Sequence, residues 1–192
     1  MIIIVFFCEI SYNINEGDKM EIFVPDVYAK SIYTIDYDKL KKQGIKCLLF
    51  DLDNTITPVN KDVPDQKVKE LFNTLADKGF KIIIFSNSGK NRVRPFKEQL
   101  NVDASCFSLK PLKRKYNKIL KTYPYNITEI AAIGDQLMAD ILGANRVGIT
   151  SILINPLSSS DFFVTKFNRG LERKVFRMLE KRSLFQRAKY YD

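Results

Sequence analysis

The chain has 192 residues, 45% of them hydrophobic, which fits one ordinary domain with appendages and supplies enough apolar surface for a core. Its 31 Lys and Arg against 22 Asp and Glu give a formal charge of +9, favouring an anionic partner such as phosphate, nucleic acid or an acidic lipid surface without choosing among them. It contains no histidine, which excludes a Ser-His-Asp or Cys-His relay and a His-ligated zinc site; acid–base work falls to carboxylates, lysine or tyrosine.

The opening MIIIVFFCEI carries an apolar run of about nine residues, short of the roughly 20 that a membrane-spanning helix needs. No basic residue precedes it and no small-residue cleavage site follows. Glu16-Gly17-Asp18-Lys19 ahead of Met20 can be encoded by a purine-rich ribosome-binding sequence, so residues 1–19 are expected to be a leader outside the natural protein. A natively expressed protein whose mass includes Met1 overturns that expectation. Residues 20–44 are expected to form an N-terminal arm, 45–160 the core domain and 161–192 a basic amphipathic C-terminal helix. Cys8, Cys47 and Cys106 are odd in number, widely spaced and set among apolar residues, which predicts reduced, buried thiols with no catalytic part.

From Ile45 onward, strand and helix patterns alternate. Ile45 to Phe50 reads as a buried strand; Val68, Leu71, Phe72 and Leu75 then recur at helical spacing, and Gly79 closes that helix. Phe80 to Phe85 is a second apolar strand, followed by a helix over Asn91 to Leu100. A short strand near Ser105 to Leu109 precedes a helix carrying Tyr116, Ile119, Leu120 and Tyr123. Glu129 to Ile133 and Ser151 to Ile154 supply two more strands, with a helix over Gln136 to Asn145 between them. Strands that are apolar throughout predict an α/β fold: a three-layer, Rossmann-like parallel sheet with helices on both faces. Ligands of such sheets bind beyond the carboxyl ends of the strands, where the sequence puts Asp51 and Asp53, Ser86 and Asn87, Lys110, and Gly134 and Asp135.

Carboxylates crowded at one crevice repel each other unless a hard cation joins them. A magnesium ion accepts two carboxylates and a backbone carbonyl while keeping waters for a phosphate to displace. Asp51 and Asp53 are expected to point to the same side, one facing a substrate as nucleophile and the other its leaving group. SNSGKN is not a phosphate loop of the Walker type, because Ile84 stands where that pattern needs its first glycine.

DLDNT after the first strand, FSNS after the second, the lysine of SLKP, and GDQLMAD after the fourth resemble, in order, the four motifs of haloacid dehalogenase (HAD) phosphatases of subfamily IIIA. That resemblance covers about Ile45 to Leu157. FVPDVYAKSIYTID, AIGDQLMADILGANRVGITSILINPL and TKFNRGLERKVFRMLEKR are similar to a narrower group, the YqeG-type phosphatases related to the mitochondrial phosphatidylglycerophosphatase. The resemblance implies that Asp51 forms a phosphoaspartyl intermediate and that Asp53 serves as acid and base. It implies that Ser86 and Asn87 contact phosphate, that Thr55 contacts it or caps the local turn, and that Lys110 offsets the charge of the transferring group. Magnesium would be held by Asp51, Asp135 and the backbone carbonyl of Asp53, with Asp140 orienting its waters or lying exposed on the following helix. Residues 1–19 have no counterpart in that group, and Met138 and Ala139 are not expected to touch the metal.

Spacing narrows the substrate. Between Asp53 and Ser86 lie 32 residues and between Ser86 and Lys110 lie 23, too few for a cap domain besides the expected helices and strands. An open crevice suits a phosphate carried on something large. From Thr165 to Lys189 there are nine Lys and Arg against two Glu, with Phe167, Leu171, Val175, Met178 and Phe185 along one side. This is an amphipathic basic helix that either lies on an anionic bilayer or packs on its own domain. The resemblance implies magnesium-dependent dephosphorylation of phosphatidylglycerophosphate at the inner face of the cytoplasmic membrane. Two other readings use the same residues: a phosphatase of nucleic-acid ends or phosphoproteins, and a non-enzymatic nucleic-acid-binding module, which the acidic cluster disfavours.

Overall fold

The computed structural model describes residues 18–158 and 163–192. The expected leader up to residue 17, with Cys8, lies outside them. Its elements are α1 (Asp18–Glu21), β1 (Val27–Ala29), α2 (Tyr37–Lys42), β2 (Cys47–Phe50), α3 (Gln66–Asp77), β3 (Lys81–Phe85), α4 (Lys90–Leu100), β4 (Asp103–Ser105), α5 (Lys113–Thr122), β5 (Ile130–Gly134), α6 (Leu142–Val147), β6 (Thr150–Ile154) and α7 (Phe163–Lys181). The six strands form one parallel sheet in the order β1-β6-β5-β2-β3-β4, with β2 at its centre between β5 and β3.

Alternation along the central strands builds two cores. Leu48 and Phe50, Ile82 and Ile84, and Ala131 and Ile133 face one side, where they meet Leu40 of α2, Val68, Phe72 and Leu75 of α3, and Val93 and Phe96 of α4. Cys47 and Leu49, Ile83 and Phe85, and Ile130 and Ala132 face the other, against Tyr116 and Ile119 of α5 and Ala144 of α6. Both faces of the sheet are thus apolar and covered, as a parallel sheet requires. Local signals agree with the packing: the Asp65 carboxylate caps α3 by accepting from the Val68 N–H at 2.9 Å, and Gly79, at φ +85°, turns the chain out of that helix. Burial pushes the Cys47 thiol up to about 12, so it stays an unreactive core group.

Two elements of the sheet differ from the sequence expectation, and α7 takes one of its two expected places. The arm contributes β1, which pairs in parallel with β6 (Val27 opposite Ile152) and is too short to carry a readable pattern. Its outer side is closed by Tyr191, which exchanges backbone hydrogen bonds with Tyr28 at 2.7 and 2.9 Å. The third of the five expected strands falls earlier, at Asp103–Ser105, because Phe107 and Leu109 adopt φ of +47° and +54°, which an extended chain cannot contain. The apolar side of α7 packs on the chain's own domain. Val175, Leu179 and the following Phe185 are buried against Met20, Phe23, Leu137, Met138 and Ile141, and the buried Glu172 carboxylate accepts from the Met138 N–H at 3.0 Å. Of the residues expected to face a bilayer, Met178 is exposed, Leu171 is half-buried, and the side chain of Phe167 lies outside the described residues. Intramolecular burial removes the apolar stripe from water without the entropy cost of association. Among the described residues no helix is long and apolar enough to cross a membrane.

Candidate active site

The carboxyl ends of β2, β3 and β5 meet at the middle of the sheet. Directly after β2 the chain makes a tight loop anchored by Leu52 and Ile56, both buried, with the Asn54 N–H donating to the Thr57 carbonyl at 2.7 Å. Asn54 has φ +64°, a conformation that asparagine tolerates better than most residues. With Leu52 planted in the core, Asp51 and Asp53 are left facing the crevice. No added domain stands between Asp53 and Ser86, which are joined by α3 and β3, or between Ser86 and Lys110, joined by α4 and β4.

Asp51, Asp135 and Asp140 are all buried, and each offers a carboxylate oxygen within 4.8 Å of the others. Lys110 reaches into this group, its Nζ 2.6 Å from Asp51 Oδ1 and 2.5 Å from Asp140 Oδ1. One ammonium cannot balance three carboxylates. Burial, with the charges of Asp140 and Asp53, pushes the Asp51 carboxyl up to about 7 against the pull of Lys110. Burial also works against the charged form of Lys110, yet Asp140 and Asp51 outweigh it and hold its pKa above the ordinary lysine value. Residual negative charge and hard oxygen donors make this a site for a divalent metal ion.

The remaining partners divide the labour. Asp140 is not an exposed helix residue: its second oxygen accepts from the Gln136 N–H at 3.0 Å, so both oxygens are engaged and it orients Lys110. A π-helical turn at Leu137–Ile141, with the Ile141 N–H reaching back to the Gln136 carbonyl at 3.3 Å, interrupts the expected helix and brings Asp140 over Gly134. A Cβ on Gly134 would lie 2.1 Å from Asp140 Cγ. Gly134→Ala is therefore expected to destabilise the fold by about 1–3 kcal/mol, as overpacking does, and to displace Asp140 from Lys110. Thermal unfolding and phosphate release, measured on the same preparation, check both effects.

Ser86 is buried, and its hydroxyl accepts from the Ser88 N–H at 3.0 Å, which leaves the hydroxyl proton to give. Two of the residues expected to touch phosphate are otherwise engaged in this arrangement. Thr55 donates to Asp135 Oδ1 at 3.3 Å, and the Asn87 amide exchanges hydrogen bonds with the Lys110 backbone at 2.8 and 3.2 Å. Each fixes a neighbouring side chain or backbone. Sequence reasoning missed Arg92 and Ser88, which hold Asp53: Arg92 Nε and Nη2 both lie 2.9 Å from Asp53 Oδ1, and Ser88 Oγ lies 2.5 Å from Oδ2. The usable signal was topological, because the first turn of a helix that follows a strand starts at the crevice.

Across 78% of this chain and 97% of that one, the fold is similar to the cobalt-bound deoxy-D-mannose-octulosonate 8-phosphate phosphatase of Haemophilus influenzae, with a TM-score of 0.50 at 15% identity, a likeness of fold alone. Together with the family matches that follow, the fold defines a HAD-type phosphoric monoester hydrolase. A family model described as mitochondrial PGP phosphatase matches residues 17–157. The chain is 34% identical over 164 residues to the probable phosphatase YqeG of Bacillus subtilis, covering 85% of this chain and 95% of that protein. It is also 25% identical over 167 residues to phosphatidylglycerophosphate phosphatase 1 of Arabidopsis thaliana, covering 78% of this chain and 46% of that longer protein. This chain belongs to the mitochondrial PGP phosphatase family, as a YqeG-type member of the HAD superfamily.

Proposed function

We propose that the protein is a magnesium-dependent phosphatase that removes the terminal phosphate of phosphatidylglycerophosphate, working as a peripheral protein at the cytoplasmic face of the membrane. The observation that carries this reading is the buried meeting of Asp51, Asp135 and Asp140 with Lys110 at the carboxyl ends of the central strands, which no cap domain covers among the described residues.

The chemistry follows from the side chains. Asp51 attacks phosphorus as the bond to the ester oxygen breaks, giving a phosphoaspartyl group, and the departing oxygen takes a proton from Asp53. Water then attacks phosphorus and gives its proton to Asp53, and the Asp51 carboxylate is released with inorganic phosphate. Lys110 holds Asp51 in position and offsets charge on the transferring oxygens; the Ser86 hydroxyl donates to one of them. Arg92 and Ser88 keep Asp53 in the crevice between the two proton transfers. Asp51, Asp135 and the Asp53 backbone carbonyl are the groups to hold magnesium, which when bound neutralises phosphate charge and lines up the reacting oxygens. Asp140 contributes through Lys110.

The test is a comparison of substrates at equal concentration. Vesicles carrying phosphatidylglycerophosphate are expected to release inorganic phosphate with magnesium and to release none in chelator. Faster release from an oligonucleotide 3′-phosphate or a phosphopeptide would overturn the lipid assignment while leaving the phosphatase intact.

A further inference from the structure

The basic helix α7 was expected to meet either a bilayer or its own domain, and Val175 and Leu179 are buried in that domain. Another surface carries exposed apolar side chains beside basic ones. We propose that the rim of loops at the carboxyl edge of the sheet seats on the headgroup layer of an anionic bilayer, so that a phosphorylated lipid enters the crevice from the membrane side. The lipid's fate rests on the function proposed above; the seating does not.

Four large apolar side chains are exposed along this edge: Val63 at 49% after β2, Phe107 at 54% and Leu109 at 44% after β4, and Leu157 at 39% after β6. Single exposed apolar residues need no explanation, but these are fastened around one site. The Phe107 N–H donates to the Ser88 carbonyl at 3.0 Å, and the Leu157 N–H to the Asn54 carbonyl at 2.9 Å. The loop before Val63 is tied to Arg92, which donates to the Pro58 carbonyl at 3.3 Å while holding Asp53.

The loop after β4 inverts the usual partition. Ser108 and Lys110 are buried, whereas Phe107 and Leu109 between and beside them point to water. Both apolar residues hold left-handed backbone, at φ +47° and +54°, a conformation that bulky side chains avoid and that persists at ligand-contacting segments. The same backbone that turns Lys110 inward therefore displays two apolar tips outward.

Charge points to an anionic partner. Of the helices that start at this edge, α3, α4 and α5 have no acid in the first turn, and the last two begin with Lys90 and with Lys113 and Arg114, against the helix dipole. Lys61 adds a further exposed charge on the loop after β2. Two acids share this rim with the cations: Asp62, exposed and 3.3 Å from Arg92, and Asp65, which caps α3. A protein interface places its apolar part at the centre and its polar groups at the margin. Here apolar tips and cations share the loops around a polar crevice, a combination that suits headgroups entering the middle and apolar tips reaching the acyl boundary.

Co-sedimentation of the full-length chain with vesicles, in magnesium, tests this. The chain is expected to partition onto phosphatidylcholine vesicles containing phosphatidylglycerol and to bind pure phosphatidylcholine weakly. Phe107→Asn with Leu109→Asn, chosen because asparagine accepts left-handed backbone, should lower the partition by more than about tenfold. Lys61→Gln and Lys113→Gln should each lower it by about fivefold, while Arg173→Gln with Lys174→Gln on α7 should leave it unchanged. The rim variants are expected to keep their circular dichroism and their turnover of p-nitrophenyl phosphate, which reads the crevice without a bilayer. Rim variants that sediment like the parent overturn the proposal. So does a parent chain that stays in solution with every vesicle, which hands the rim to a protein partner. Intact vesicle binding without release of phosphate from phosphatidylglycerophosphate sinks the function proposed above and leaves the seating standing.

Discussion

Asp51→Asn is expected to abolish phosphate release, by at least about four orders of magnitude, because it removes the nucleophile on which both displacement steps depend. The same change should stabilise the metal-free protein. In the unfolded chain Asp51 ionises near its ordinary 3.8; in the folded protein burial and neighbouring carboxylates push it up to about 7. Between those values the folded state holds the extra proton. The contribution of this group to stability therefore falls as pH rises through that window and stays unfavourable above it. Asparagine keeps the shape and removes the charge. In chelator at neutral pH, Asp51→Asn should therefore melt a few degrees higher than the parent, since ~1 kcal/mol moves a chain of this size by about 2–4 °C. A variant that is both inactive and less stable would mean that Asp51 is held chiefly for its ion pair with Lys110.

Lys110→Met should act in the opposite direction on the fold. Its ammonium touches Asp51 and Asp140 at 2.6 and 2.5 Å, and all three groups are buried. Methionine fills similar space but leaves the carboxylates facing one another without a cation. Removing one partner from a buried charge group commonly destabilises by about 3–5 kcal/mol, so chemical denaturation should detect the loss directly. Magnesium offers a substitute charge, and at a hundred times its dissociation constant it should return up to about 2.7 kcal/mol. Turnover should remain about 10²–10³ below the parent even when the fold is restored, because the charge on the transferring phosphoryl group has lost its fixed counterpart. Unchanged stability in chelator would show that Lys110 does not balance this cluster.

Much of this architecture was legible in the residues, and the parts that were not share a cause. KIIIF and CLLF are continuous apolar runs and could hardly be other than buried strands, so the points where they stop, Asp51 and Ser86, were legible as well. β1 escaped because three residues carry no period, and its membership in the sheet is decided by pairing with β6, more than a hundred residues away. The strand expected across Phe107 and Leu109 failed because apolar character was taken as a sign of burial, whereas backbone geometry turns these two side chains outward. In the site, the order of the motifs located Asp51, Asp135 and Lys110, since each directly follows a strand or its loop. The reach of Arg92 from the first turn of α4, and the hydrogen bonds of Thr55 and Asn87 to their neighbours, depend on side-chain directions, which spacing does not encode. The amphipathic pattern of α7 was correctly read as helical, but a helical stripe carries no label for what covers it.

The backbone exchange between Tyr28 and Tyr191 bears on how the protein behaves when crowded. A lone outermost strand offers unpaired amides to any neighbour, the usual seed of ladders between molecules. Tyr191 occupies part of that outer row, while at the opposite margin β4 is only three residues long and gives a stranger little to grip. The cover on this outer strand thus comes from a residue far from the chemistry, and trimming or tagging beyond Tyr190 is expected to uncover it and favour self-association.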